Sequence, residues 1–145
     1  YYGFLRAMND HSLHVDNPYT LIDKGLQKFL YKDVSPVVNE LRLLPELPTA
    51  FFCCNDPEAL ALYKAFKIMG LRVPDDVSII GFDNIDLAKN VSPELTTMHV
   101  EKELMGIKAV RRLVEKMQDK TGVSQKILIP ATLVERQSVI ITAFE

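Results

Sequence analysis

The sequence predicts an α/β fold with a doubly wound, largely parallel sheet. Short apolar runs of strand length recur along the chain, and segments with helical spacing of apolar residues separate them. The run TAFFCC is continuously apolar, which is typical of strands covered on both faces in parallel sheets, and VSIIGF is predicted to be a second buried strand. The length of 145 residues suits one domain with a substantial core.

Predicted helices and strands alternate along the first half of the chain. The segment DVSPVVNELRLL begins like a helix, with Ser35 as the N-cap and Pro36 at the first helical position. In chain order, the predictions are a helix in residues 1–13, a strand at 18–23, a helix at 33–44 and a strand at 49–54.

The second half continues the alternation with strands at 77–83 and 95–100 and a long helix at 100–122, which Gly122 ends. The apolar stripe of the long helix consists of Leu104, Ile107, Val110, Val114 and Met117. Residues 127–141 are predicted to be extended, with an interruption at Pro130.

The helix predicted at 57–69 begins after Asp56 as the N-cap, has Pro57 as its first residue and stops at Gly70. Its apolar residues nearly encircle it: Ala59, Leu60, Leu62, Tyr63, Ala65, Phe66, Ile68 and Met69. A helix that packs only on a sheet needs one apolar face. We therefore expect the second face to contact another subunit of a homodimer.

Composition and charge argue against several classes of protein. The formal net charge is -2 and no run of Lys and Arg is present, so nothing indicates a nucleic-acid surface, and the apolar runs are too short to span a membrane. The adjacent Cys53 and Cys54 lack the paired spacing of a zinc site. We expect both thiols to be buried and reduced, on opposite faces of a strand, and we expect no metal and no cofactor.

Polar side chains follow two of the predicted buried strands. Asn55 and Asp56 follow TAFFCC, and Asp83 and Asn84 follow VSIIGF. Ligands of open parallel sheets bind beyond the carboxyl ends of the strands, and a carboxylate with an amide suits the hydroxyls of a sugar. Asp56 is explained as a helix cap and Asn84 as a turn residue. Asn55 and Asp83 have no such local role, so we expect them to bind ligand.

Four segments, PTAFFCCND, GLRVPDDVSIIGFDN, SPELTTMHV and LVERQSV, occur in this order in the chain. Together they resemble the C-terminal half of the effector-binding core of the lactose-repressor/galactose-repressor (LacI/GalR) family. The resemblance covers residues 48–140 and, more loosely, the opening YYGFLRAM. It implies a periplasmic-binding-protein-like fold.

The resemblance also implies roles for individual residues. Asn55 is similar to the amide that binds effector hydroxyls, and Asp83 to the carboxylate that holds the sugar or purine. Leu26 matches a position where many members stack an aromatic ring on the ligand. The family's dimer interface falls on Leu60, Lys64 and Val91.

The same resemblance implies a division of the chain. Residues 1–98 and 127–145 correspond to the C-terminal subdomain, and the helix within 99–126 belongs to an otherwise missing N-terminal subdomain. The DNA-binding headpiece is missing as well. We expect part of a cytoplasmic bacterial repressor whose small-molecule effector, a sugar or sugar derivative, binds between two lobes. Operator DNA is contacted only through the missing headpiece.

Two other functions stay open. A sugar-binding protein of a transport system shares the architecture, although the helix with two apolar faces and the two cysteines argue against it. A small α/β enzyme needs a base, nucleophile or metal constellation, and Asp83 has no such partner near it in sequence. We therefore expect no catalytic residue and no enzymatic activity.

Overall fold

The computed structural model describes residues 2–14, 33–118 and 123–140. The described elements are α1 (Tyr2–Asp10), α2 (Ser35–Arg42), β1 (Ala50–Phe52), α3 (Asp56–Met69), β2 (Ser78–Asp83), a 3-10 helix (Asp86–Lys89), β3 (Thr96–His99), α4 (Lys102–Gln118) and β4 (Thr132–Val134). The strand predicted at 18–23 and the helix end predicted at Gly122 lie outside the described residues.

The described strands form one sheet in the order β1-β2-β3-β4. The first three strands are parallel, and β4 pairs antiparallel with β3. Parallel neighbours require a crossover between them, and α3 supplies the crossover from β1 to β2. The prediction of an α/β fold with a largely parallel sheet is confirmed.

The core of the described residues lies where α3 packs against β2 and α2. Small residues on α3, Ala59, Ala61 and Ala65, are almost fully buried and let the helix approach the sheet closely. Phe66 is fully buried, and its ring lies 5.3 Å from that of Phe51 in β1. Burying a phenyl side chain contributes about 1.5–3 kcal/mol to folding, so this ring is a main link between α3 and the sheet.

Strand β1 is shorter and more exposed than predicted. Ala50 and Phe52 are exposed and Phe51 is half-buried, whereas the prediction was a strand covered on both faces. The reason is that β1 is an edge strand among the described strands. One face of β1 is covered by α1. The ring of Phe4 stacks on that of Phe52, and the two ring centroids lie 5.6 Å apart.

The N-cap predicted for α2 is wrong by one residue. Ser35 is the first helical residue, and the N-cap Val34 makes no side-chain capping bond. The Asp33 carboxylate accepts hydrogen bonds from the Ser35 hydroxyl at 2.6 Å and from the Ser35 backbone N–H at 2.9 Å. An ionised carboxylate is a stronger acceptor than a hydroxyl, so Asp33 takes the capping role, and these bonds lower its pKa.

The N-cap predicted for α3 is also wrong by one residue. Asn55 is the N-cap, and Asp56 is a fully buried residue of the first helical turn. The Asp56 carboxylate accepts hydrogen bonds from the Thr97 hydroxyl at 2.5 Å and from the Ile85 backbone N–H at 2.8 Å. The predicted helix end is confirmed: Gly70 has φ 76°, the left-handed conformation that glycine adopts without strain.

Helix α4 does not join the core. None of its residues is buried, and its apolar stripe is 39–70% exposed at Leu104, Ile107, Val110, Val114 and Met117. An amphipathic helix normally gains its stability by burying such a stripe, so α4 lacks its packing partner among the described residues.

Because Asp56 accepts from two donors, Asp56→Asn places an amide NH2 group against one of them. We expect this variant to lose about 3 kcal/mol of unfolding free energy, since a buried donor is left unpaired. The measurement is urea denaturation followed by circular dichroism. Asp75→Asn, in an exposed ion pair with Arg72, is the matched control and should change stability by less than about 0.5 kcal/mol. Equal stability of the two variants would contradict the structural role of Asp56.

Candidate functional site

The polar residues predicted to follow the strands lie at one edge of the sheet. Phe52 of β1 and Ile80 of β2 are paired in register, and Asn55 and Asp83 each lie three residues beyond that pair. Desolvation is the largest cause that raises the pKa of the neighbouring Cys54 thiol, and the negative charge of Asp83 is a smaller one. We call the edge formed by Asn55, Cys54, Asp83 and Asn84 the rim.

Asn55 has a local structural role, the capping of α3, that the sequence did not indicate. Its side-chain Oδ1 accepts a hydrogen bond from the Glu58 backbone N–H at 2.9 Å and so caps α3. Its Nδ2 lies 3.5 Å from the Cys54 sulfur. Asn55 is half-buried, and because its oxygen serves the cap, its Nδ2–H group is the donor that it offers to the rim.

The two cysteines differ in environment, which corrects the expectation that both are buried. Cys53 is buried and Cys54 is exposed, and both thiols are free. They diverge because successive residues of an extended segment point to opposite sides. Desolvation strongly raises the pKa of Cys53. Partial desolvation, and then the hydrogen bond from the Cys54 thiol to Glu58 Oε2 at 2.9 Å, raise the pKa of Cys54 to about 11.

Asp83 ends β2 in an uncommon backbone conformation. Its φ is 110°, and that of Asn84 is 52°, in the region that L-residues other than Asn and Asp rarely adopt. Lys102 Nζ, at the start of α4, donates to the Asp83 backbone carbonyl. Within the described ranges, no donor is hydrogen-bonded to the Asp83 carboxylate, so this half-buried group is available as an acceptor.

Asn84 does more than shape a turn. Its Oδ1 accepts from Arg136 Nη2 at 2.7 Å, and its Nδ2 lies 3.2 Å from His99 Nδ1. The Arg136 side chain is only 9% exposed, and its Nη1 donates to the Leu95 carbonyl at 2.6 Å. A network therefore joins the rim to β3 and to the segment after β4.

Sequence reasoning missed three residues of this site: Thr97, His99 and Arg136. Thr97 had a signal, because a threonine pair in a buried strand indicates a hydrogen-bond partner. His99 and Arg136 had none, because their partner Asn84 is 15 and 52 residues away along the chain.

The residues predicted for a dimer interface lie together beside the rim. Leu60 and Lys64 of α3 and Val91 line one groove of about 380 Å³. The predicted ligand residue Leu26 lies outside the described residues. A larger groove of about 460 Å³ runs between α4 and residues 124–129 and is separate from the rim.

Residues 2–14, 33–118 and 123–140 contain no group of three His, Cys, Asp or Glu side chains placed to hold a metal ion. The same residues include no helix with the length and apolarity that a membrane crossing requires.

Comparison with known families and proteins gives consistent matches. The family model described as a periplasmic binding protein-like domain matches residues 1–139. The HTH-type transcriptional repressor PurR of Pasteurella multocida is 40% identical over 139 residues, which is 96% of this chain and 40% of that protein. The chain thus spans less than half the length of this relative.

Solved structures agree with the sequence comparison. A LacI-type transcription regulator from Bifidobacterium animalis superposes with a TM-score of 0.75 at 29% identity, over 96% of this chain and 49% of that one. A LacI family regulator from Enterococcus faecalis, with bound ribose, superposes with a TM-score of 0.64 at 32% identity, over 72% of this chain and 38% of that one.

The raised pKa of the Cys54 thiol predicts that this cysteine reacts slowly with alkylating reagents. At pH 8 we expect iodoacetamide to modify Cys54 slowly and Cys53 not at all, because the thiolate is the reactive form. In Glu58→Gln the hydrogen-bonding carboxylate is lost, so we expect the pKa of the Cys54 thiol to fall and its alkylation to become faster. Each unit by which this pKa falls increases the thiolate fraction about tenfold. Mass spectrometry of the alkylated peptides measures both rates. Glu46→Gln, at an exposed position, is the control. An unchanged Cys54 rate in Glu58→Gln would show that Glu58 does not hold the thiol.

Proposed function

This chain belongs to the periplasmic binding protein-like domain family, as an effector-binding domain of the LacI/GalR transcriptional regulators, and from this premise we propose that it forms one lobe of the ligand-sensing domain of a repressor. The observation that carries the proposal is the rim. There, an acceptor on Asp83 and a donor on Asn55 lie at the carboxyl ends of adjacent parallel strands, the position where open α/β sheets bind ligands.

The chemistry of the rim favours a polyhydroxylated effector. The Asp83 carboxylate can accept hydrogen bonds from vicinal hydroxyls, and the Asn55 amide can donate to a hydroxyl or ring oxygen. The ribose bound by the Enterococcus faecalis regulator is a ligand of this class. We propose a sugar or sugar derivative as the effector, with Leu26 contributing apolar contact and a purine as the second candidate.

The exposed helix α4 supports the proposed division of the chain. The apolar stripe of α4 is exposed, as expected for a helix whose packing partners in its subdomain are mainly other residues. We propose that 1–98 and 127–145 form the C-terminal lobe and that 99–126 belongs to the N-terminal lobe. Effector binding between the lobes would favour the closed arrangement and change the operator affinity of the intact protein.

The groove on α3 supports a homodimer. Leu60 and Val91 bring apolar surface and Lys64 a charge to its wall, and Leu87 beside them is 57% exposed. Apolar cores rimmed by polar groups are typical of protein interfaces. We propose that this face pairs with a second copy and that the dimer holds two DNA-binding headpieces.

We propose that the intact protein acts in the cytoplasm, where a repressor meets DNA. We assign no catalytic residue and no cofactor, because effector binding and lobe movement account for the site. Operator DNA is contacted through the headpiece of the intact protein rather than through this chain, whose net charge is -2.

Effector binding is tested by thermal unfolding of the full-length gene product with D-ribose, lactose, cellobiose, sugar phosphates, adenine and guanine. A compound present at a hundred times its Kd adds about 2.7 kcal/mol of stability and raises the Tm. We expect a stabilising compound to lose its effect in Asp83→Asn and to keep it in Asp86→Asn, an exposed carboxylate on the 3-10 helix. A stabilising compound that acts equally on both variants would disprove the role of Asp83.

The interface is tested by sedimentation of Leu60→Asp. A carboxylate buried without a partner in an interface weakens dimerisation, by at least about a hundredfold for a central position. We expect monomers at micromolar concentration. Leu43→Asp changes a leucine that is 78% exposed and should leave the dimer intact. Dimeric Leu60→Asp protein would exclude this face as the interface.

A further inference from the structure

The turn at Asp83 and Asn84 keeps its conformation only through contacts with other parts of the chain. Asp83 and Asn84 both have positive φ, at 110° and 52°. Such conformations persist in non-glycine residues where surrounding contacts determine them. The backbone of the turn has three such contacts: Lys102 donates to the Asp83 carbonyl, the Asn84 N–H to Thr97 Oγ1 at 3.4 Å, and the Ile85 N–H to Asp56 at 2.8 Å. The Asn84 side chain makes further contacts, with Arg136 and His99.

Arg136 is the principal anchor of the Asn84 side chain. One guanidinium nitrogen donates to Asn84 Oδ1 at 2.7 Å, and another donates to the Leu95 carbonyl at 2.6 Å. The Arg136 backbone N–H is bonded to Thr96 Oγ1 at 2.9 Å, and Nε lies 3.6 Å from Glu94. With its side chain 9% exposed, Arg136 is held against β3 and the segment that precedes it by these contacts.

The guanidinium also sets the orientation of the Asn84 amide. Arginine has donors only, so the amide atom that faces it is Oδ1, and Nδ2 faces His99. Nδ1 of His99, at 3.2 Å from Nδ2, is then the acceptor. His99 therefore carries its proton on Nε2, which lies 3.7 Å from Glu101.

We propose that Arg136 is a positioning residue for effector binding, which acts through Asn84 to hold Asp83 at the rim. The inference rests on the proposed ligand role of Asp83. Arg136 does not itself contact the effector. Lysine cannot replace it, because an ammonium lacks the planar fork that reaches Leu95 and Asn84 together.

The first experiment needs no ligand. The full-length protein is labelled with ¹⁵N and ¹³C at Asp and Asn and with ¹⁵N in the histidine rings, and NMR compares wild type with Arg136→Lys. We expect the wild-type His99 ring to show the Nε2–H tautomer. In Arg136→Lys we expect this preference to be lost and the Asp83 and Asn84 signals to shift or split.

The matched control is Arg72→Lys, which removes a two-point contact with Asp76 on an exposed turn. Its Asp83, Asn84 and His99 signals should equal those of wild type. If Arg136→Lys does not fold, Asn84→Gly replaces it, because glycine tolerates the positive φ and removes the link to Arg136. Unchanged Asp83 and His99 signals in these rim variants would overturn the proposal.

The second experiment measures affinity by calorimetry with D-ribose, lactose, cellobiose, adenine and guanine. For a compound that binds wild type, Arg136→Lys and Asn84→Gly should weaken binding at least about tenfold, as expected for a lost hydrogen bond to a charged group. Arg72→Lys should not. Equal Kd values in wild type and Arg136→Lys would overturn the positioning role. If none of these compounds binds wild type, the sugar or purine assignment fails, and the NMR comparison still decides whether Arg136 holds the turn.

Discussion

A fully buried carboxylate, that of Asp56, joins the elements on which the rest of the described structure depends. It lies in the first turn of α3 and accepts hydrogen bonds from Thr97 on β3 and from the backbone of Ile85 after β2. A buried carboxylate is costly unless its acceptor positions are used. The beginning of α3, the end of β2 and the middle of β3 are therefore constrained to meet. Gly81 belongs to the same constraint, because a Cβ atom at that position would collide with Asp56 Oδ1.

The rim is built on this junction, and its residues serve both the local structure and the proposed ligand site. Asn55 caps α3 with its oxygen and offers its nitrogen to the rim. Asp83 ends a strand at positive φ and has a free carboxylate among the described contacts. Local strain at a binding position is tolerated where neighbouring contacts determine the conformation. At Asp83 the contacts come from Asn84, Arg136 and Lys102.

Two apolar surfaces of the described chain are left without cover, on α4 and at the groove beside α3. Uncovered apolar patches of this kind usually mark contacts with another domain or subunit. They differ in what surrounds them. The α3 groove adjoins the packed core, so one further rigid surface, such as that of a second subunit, is enough to cover it. Helix α4 has no buried residue, so its stability depends on a larger unit that packs around it.

The sequence alone determined the alternation of helices and parallel strands, because continuous apolar strand runs and helical spacing are local patterns that burial on one or both faces requires. It also determined the end of α3 at Gly70 and the convergence of Asn55 and Asp83, since parallel strands deliver their ends to one edge. Tertiary structure alone decided which of Asn55 and Asp56 caps α3. Both are good caps, and the choice depended on Thr97, which is 41 residues away from Asp56. It also decided the role of Arg136 and the exposure of Cys54 and of β1. These depend on contacts distant in sequence or on the sheet edge, and no local pattern contains that information.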